Sequence, residues 1–179
     1  MKKVIAIDMD QVLADLLSDW VAYINTHDDP FLKEEDILCW DIKKYTNTNN
    51  NVYRHLDYDL FRNLDVIEGS QRVVKELMKK YEVYVVTTAT NHPESLKAKL
   101  EWLTEHFSFI PHSNVVLCGN KSIIKADIMI DDGIHNLETF DGMKILFDAP
   151  HNRDDHRFIR VMNRGEIEQN YYKISFYLE

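Results

Sequence analysis

Hydrophobic positions fall along this chain in two patterns, short unbroken runs and longer stretches spaced like a helix face. Val4-Ile5-Ala6-Ile7 is apolar throughout and stops at Asp8 and Asp10. A run that short and continuous fits a strand buried on both faces. Beyond it Leu13, Leu16, Leu17, Trp20, Val21 and Ile24 follow helical spacing and predict a helix over 12–25. The next segment is polar: a turn at His27-Asp28-Asp29-Pro30, a short helix over 33–38, an asparagine-rich loop over 46–51 and a helical pattern over 52–61. Nothing between Leu16 and Asp65 reads as a strand.

From Gly69 the texture changes. The pattern predicts helices over 71–80, 93–106 (opened by Pro93), 122–126 and 134–140, alternating with strands over 82–87, 115–117, 127–130 and 143–147. Such alternation predicts an α/β fold, a parallel sheet with right-handed crossovers and helices on both faces. The tract after the first strand then reads as a small helical cap, residues 16–65, inserted into a core of residues 1–15 and 66–179. A last helix is expected over 166–174. Tyr171, Tyr172, Phe176 and Tyr177 in that tail read as packing residues, with a homodimer contact as the other reading.

Composition narrows the partners. With 179 residues, 45% hydrophobic and 28% charged, the chain can bury a sizeable core. A formal charge of -9 argues against a nucleic-acid duplex or an anionic membrane. The two cysteines, Cys39 and Cys118, have neither metal-ligand spacing nor the numbers of a disulfide framework, so they read as reduced thiols. Asp8 cuts the first apolar run short of a signal peptide and no stretch is long enough to span a bilayer, which makes a cytoplasmic location the expectation.

The chemistry sits at strand ends. Parallel strands bring their carboxyl ends to one edge, where α/β sheets bind ligands. That edge gathers Asp8 and Asp10 from the first strand, Thr87 and Thr88 from the second, Lys121 after Gly119-Asn120, and Asp131-Asp132-Gly133 from a later strand. Crowded carboxylates need a cation, a shared proton or a basic partner. Oxygen-only ligands suit Mg2+ completed by a substrate phosphate, and a lysine and a hydroxyl can hold the phosphate oxygens left over. Each residue also has a plainer reading. Asp131-Asp132 resembles a capped turn, Lys121 a solvated lysine with Lys125 as rival, and Thr87 a strand end with Thr88 and Thr90 as competitors. Trp40 reads as a packing residue or a substrate-pocket wall. His92, His112 and His135 lack paired metal spacing and read as solvated or capping residues.

The ordered set Asp8-x-Asp10-x-Val12, Thr87, Lys121 and Asp131-Asp132 resembles the four motifs of the haloacid dehalogenase-like (HAD) phosphohydrolases over about residues 3 to 148. More narrowly, residues 8–15, Trp40, Asn120-Lys121-Ser122 and the stretch from Phe147 through Asn152 resemble the 5'(3')-deoxyribonucleotidases, which remove phosphate from deoxynucleoside monophosphates. The resemblance implies a Rossmann-like HAD fold and a Mg2+-dependent phosphatase. Asp8 would be the nucleophile, forming an aspartyl-phosphate, and Asp10 the acid and then the base. Mg2+ would be held by Asp8, the Asp10 carbonyl and Asp131, with Asp132 behind them. Thr87 and Lys121 would stabilise the phosphoryl group, and Trp40, Thr88 and Lys121 would contact a small phosphomonoester, a deoxynucleotide in the narrower reading. The chain departs from the pattern at Gln11, where relatives commonly have glycine, and at Leu16 and Cys39, where animal enzymes carry aromatics near the base. Two alternatives stay open: a HAD phosphatase for a sugar phosphate or nucleic-acid end, and a phosphate-binding protein without turnover.

Overall fold

The computed structural model describes residues 2–28 and 31–161. Strands β1 (Val4–Ile7), β2 (Glu82–Thr88), β3 (Val115–Cys118), β4 (Ile128–Asp131), β5 (Met143–Phe147) and β6 (Ile159–Val161) form one sheet. Its order is β3-β2-β1-β4-β5-β6, and every pairing is parallel. The helices are α1 (Leu16–His27), α2 (Tyr58–Arg62), α3 (Ser70–Lys80), α4 (Ser95–His106) and α5 (Ile134–Thr139).

Side-chain alternation along the strands divides the core into two layers. Ile5, Ile7, Val83, Val85, Ile128 and Ile130 face α1 to α4, whereas Ala6, Val86, Met129 and Leu146 face α5 through Leu137 and Phe140. Leu17, Trp20, Ile24, Phe61 and Leu64 from the segment between β1 and β2 belong to the first layer, continuous with the sheet's own core. Trp102 of α4 donates its indole N–H to the Leu64 carbonyl at 2.7 Å and so ties the end of that segment to the sheet. Residues 16–65 carry no strand among the described residues.

The α/β architecture matches the sequence reading, and several boundaries move for local reasons. The first helix opens at Leu16 instead of residue 12, because Leu13 and Ala14 both donate to the Met9 carbonyl in a tight turn. Asp15 then caps the helix by accepting from the Ser18 N–H at 3.3 Å. The helix expected over 52–61 splits into a 3-10 turn, Val52–His55, and α2, which Asp57 caps through the Leu60 N–H at 3.0 Å. The helices expected over 33–38 and 122–126 are single 3-10 turns, Glu34–Asp36 and Lys121–Ile123. β6 went unread from the sequence: three residues are too few for a periodicity, and its strand character comes from pairing with β5. The helix expected over 166–174 and the tail aromatics lie outside the described residues.

Candidate active site

The chain leaves β1 with its ladder still running, since Asp8 donates its N–H to Ile130 O at 2.9 Å. It then turns sharply. Gln11 takes φ of 60°, the left-handed region that favours glycine and costs other residues roughly 1 kcal/mol. The buried Gln11 side chain offsets this by accepting from the Leu17 N–H at 2.8 Å, satisfying an otherwise orphaned donor at the start of α1. The turn therefore survives the departure from glycine and aims Asp8 and Asp10 across the strand ends.

Lys121, on the 3-10 turn after β3, is buried between two acids. Its Nζ lies 2.6 Å from Asp8 Oδ1 and donates to Asp131 Oδ2 at 2.6 Å. Burial pushes the lysine down, but the fields of Asp8 and Asp131 reverse that and hold it above the usual lysine range. Burial raises both Asp8 and Asp131, and Lys121 partly restores them. Asp131 is saturated: its Oδ1 accepts from Gly133 N at 2.8 Å and from Asn136 Nδ2 at 3.0 Å. A Cβ on Gly133 would stand 3.0 Å from that same oxygen, so the close approach needs glycine. The rival Lys125 is exposed.

Asp132 stands differently. It is fully buried, yet neither carboxylate oxygen makes a hydrogen bond among the described residues. His151 Nε2 lies 3.0 Å from its Oδ2 without hydrogen-bond alignment. One ligand atom each from Asp8, Asp131 and Asp132 lies within 4.8 Å of the others. Bare buried carboxylate oxygens are costly without a cation, and an all-oxygen set suits a hard divalent ion. The residues present therefore fit Mg2+. Asp131 is thus saturated by its hydrogen bonds, while Asp132 keeps both oxygens free beside the cluster.

Two residues that sequence reasoning passed over complete the floor. Lys99 of α4, 1% exposed, donates to Asp10 Oδ2 at 2.5 Å, Thr87 Oγ1 at 3.0 Å and Thr88 O at 2.9 Å. A signal existed, because Lys99 falls in the buried stripe of Ser95, Ala98, Trp102 and Leu103. Thr87 is buried, and its hydroxyl donates to Asp10 Oδ2 at 3.5 Å. It is Thr88 that lines the cavity. His151, from a 3-10 turn after β5, stacks on Trp40 with ring centroids 4.3 Å apart. Within the Phe147-to-Asn152 stretch, Asn152 holds the Asp132 and Phe147 carbonyls at 2.9 Å each.

Above this floor opens a cavity of about 290 Å³, reaching from Asp8, Asp10 and Thr88 to Trp40, Tyr53 and Phe61. Tyr53 donates to Asp41 Oδ1 at 2.7 Å, and burial together with that bond pushes its phenol up to about 12. His92 and His135, read from sequence as solvated or capping residues, both line the cavity. Burial and the Lys99 charge lower His92, which favours its neutral form. Trp40 is 49% exposed at the rim.

A six-stranded parallel sheet with acids, a lysine and hydroxyls collected at its carboxyl edge defines a HAD-like fold. The HAD-like protein of Agrobacterium tumefaciens superposes with a TM-score of 0.67 at 13% identity over 100% of both chains. A HAD hydrolase of Bacillus subtilis, solved bound to magnesium, gives a TM-score of 0.58 at 12% identity, over 97% of this chain and 98% of that one. Within that class the chain belongs to the family described as 5' nucleotidase, deoxy (pyrimidine), cytosolic type C, whose model matches residues 2–174. It is 90% identical over 169 residues to the 5'(3')-deoxyribonucleotidase of Bacillus subtilis, covering 94% of this chain and 98% of that protein.

Proposed function

We propose that this protein is a Mg2+-dependent phosphatase that hydrolyses deoxyribonucleoside monophosphates to deoxynucleoside and phosphate. The observation that carries the reading is the Asp8, Asp131 and Asp132 cluster bridged by Lys121, lying beneath a cavity walled by aromatic residues. The name of the 90% identical relative supports the nucleotide substrate.

In this reading Asp8 attacks phosphorus, forming an Oδ–P bond as the bond to the sugar oxygen breaks. Asp10 in its acid form protonates that oxygen and, as carboxylate, then takes a proton from the water that cleaves the aspartyl-phosphate. Lys99 and Thr87 occupy Asp10 Oδ2, which leaves the partnerless Oδ1 for proton transfer. Asp8, Asp132 and the Asp10 carbonyl would hold Mg2+, which when bound offsets charge on the phosphoryl oxygens. Four acids face two buried lysines here, so the floor carries surplus negative charge that a divalent ion would neutralise. Thr88 and Lys121 would meet the phosphoryl oxygens in this reading. Asp131 anchors Lys121.

Residues 16–65 act as the cap, supplying Trp40, Tyr53, Leu56 and Phe61 to the cavity wall. A closing cap would exclude water and select the substrate. Gln11, the residue that favoured a phosphate binder without turnover, keeps the turn the acids need. The test is hydrolysis of dUMP and dTMP with and without Mg2+, for wild type and Asp8→Asn. Turnover should need the metal and disappear in the variant. Retained turnover would eliminate Asp8 as nucleophile, and equal rates across a phosphomonoester panel would remove the nucleotide assignment.

A further inference from the structure

Between the metal-binding carboxylate and the rim indole stands one imidazole. We propose that His151 is a positioning residue that couples Mg2+ occupancy at Asp132 to the placement of Trp40, so that loading the metal sets the wall against which substrate packs. The proposal rests on the Mg2+ reading above. Its edges face two different partners. Nε2 lies 3.0 Å from Asp132 Oδ2, and the ring face stacks on Trp40 at 4.3 Å with 24° between planes. The imidazole is buried, and neither of its nitrogens has a hydrogen-bond partner among the described residues. Burial without a partner is costly for a polar group, so both the imidazole and the carboxylate stand in an unsatisfied state that a small rearrangement would relieve.

The surroundings leave little other freedom. Asn152, adjacent in sequence, is pinned: its Nδ2 donates to Asp132 O and Phe147 O, and Arg160 Nη1 donates to its Oδ1 at 2.8 Å. The backbone carrying His151 is thus tied to the backbone carrying Asp132. When one Asp132 oxygen turns to a cation, the other is available to the His151 N–H. Outer partners of this kind orient metal-binding carboxylates, and their loss typically weakens metal binding about 10–100-fold. On the opposite side Trp40 is half-exposed and is contacted by His135 (6.1 Å between centroids) as well as by His151. An indole stacked on that imidazole face is positioned to follow a shift of the ring.

The experiment separates the two edges. His151→Phe keeps a ring for Trp40 but removes the nitrogen toward Asp132, while His151→Gln keeps an N–H of similar reach and removes the ring. Mg2+ affinity is measured by calorimetry without substrate, and tryptophan emission is followed in the same titration. Trp40→Phe assigns the signal against the buried Trp20 and Trp102. Circular dichroism reports folding of each variant. Wild type should bind Mg2+ with a change in emission that Trp40→Phe abolishes. His151→Phe should bind about tenfold or more weakly. His151→Gln should bind within a few-fold of wild type but lose the emission change. Wild-type affinity in His151→Phe, or an emission change that persists in His151→Gln, would overturn the coupling while leaving the metal site standing. Absence of Mg2+ binding by wild type itself would overturn the metal reading and the coupling together.

Discussion

Lys99→Met removes the only ammonium that touches Asp10 among the described residues, and its cost can be worked from the geometry. Lys99 is 1% exposed and places Nζ 2.5 Å from Asp10 Oδ2, with further bonds to Thr87 Oγ1 and Thr88 O. Removing one partner of a buried ion pair costs about 3–5 kcal/mol, chiefly because the remaining charge is stranded. Two features lower that figure. The Asp10 side chain is 14% exposed toward the cavity, and the Thr87 hydroxyl still donates to it at 3.5 Å. Methionine also fills most of the volume against Phe61, whose ring lies 4.6 Å from Nζ. The expected loss is therefore about 3 kcal/mol, or roughly 6–12 °C in melting temperature for a chain of this size. Asp10→Asn should cost about 2 kcal/mol by leaving the ammonium to the Thr87 hydroxyl and Thr88 carbonyl. The double variant strands neither charge, so its loss should fall about 2–3 kcal/mol short of the sum of the singles. Urea unfolding of the four proteins measures this directly. A loss below about 1 kcal/mol for Lys99→Met, or strictly additive singles, would refute the claim that the pair stabilises Asp10.

Asp132→Asn should weaken Mg2+ binding at least tenfold with little change in melting temperature, whereas Asp131→Asn should mainly lower stability by removing one of the two charges that flank the buried Lys121; calorimetry and thermal unfolding would separate the two. Gln11→Gly should be near neutral, because relief of the left-handed strain offsets the lost bond to Leu17 N, while Gln11→Ala should lose about 1–2 kcal/mol in urea unfolding. Asp28 is held well below the usual carboxylate range by the His55 bond, and then by Asn50 and Arg54. A depressed folded value gives stability that is present above the unfolded carboxylate range and lost as pH falls below about 4, so Asp28→Asn should flatten the acid limb of urea midpoint against pH.

The strand-end chemistry was legible before any coordinates. An unbroken apolar run ending in Asp8-x-Asp10, alternating strands and helices, and polar residues closing each strand already require a common edge, since parallel strands have no other way to end. Gln11 was visible as a departure from glycine, but only the backbone shows φ of 60° and the compensating bond to Leu17 N. Lys99 carried a faint signal, a charge inside an apolar stripe, but which acid it meets depends on how α4 crosses the ends of β1 and β2. His151 carried none of its role in sequence, because Trp40, on which it stacks, lies more than 100 residues away, and its contact with Asp132 depends on how the turn after β5 folds back on the end of β4. The contrast between Asp131 and Asp132 follows the same logic. Adjacent and identical in sequence, they differ only in what surrounds them: one is saturated by Lys121, Gly133 and Asn136, and the other is buried with bare oxygens. Covalent order fixes which groups arrive at the edge, and packing decides which of their lone pairs remain free to act.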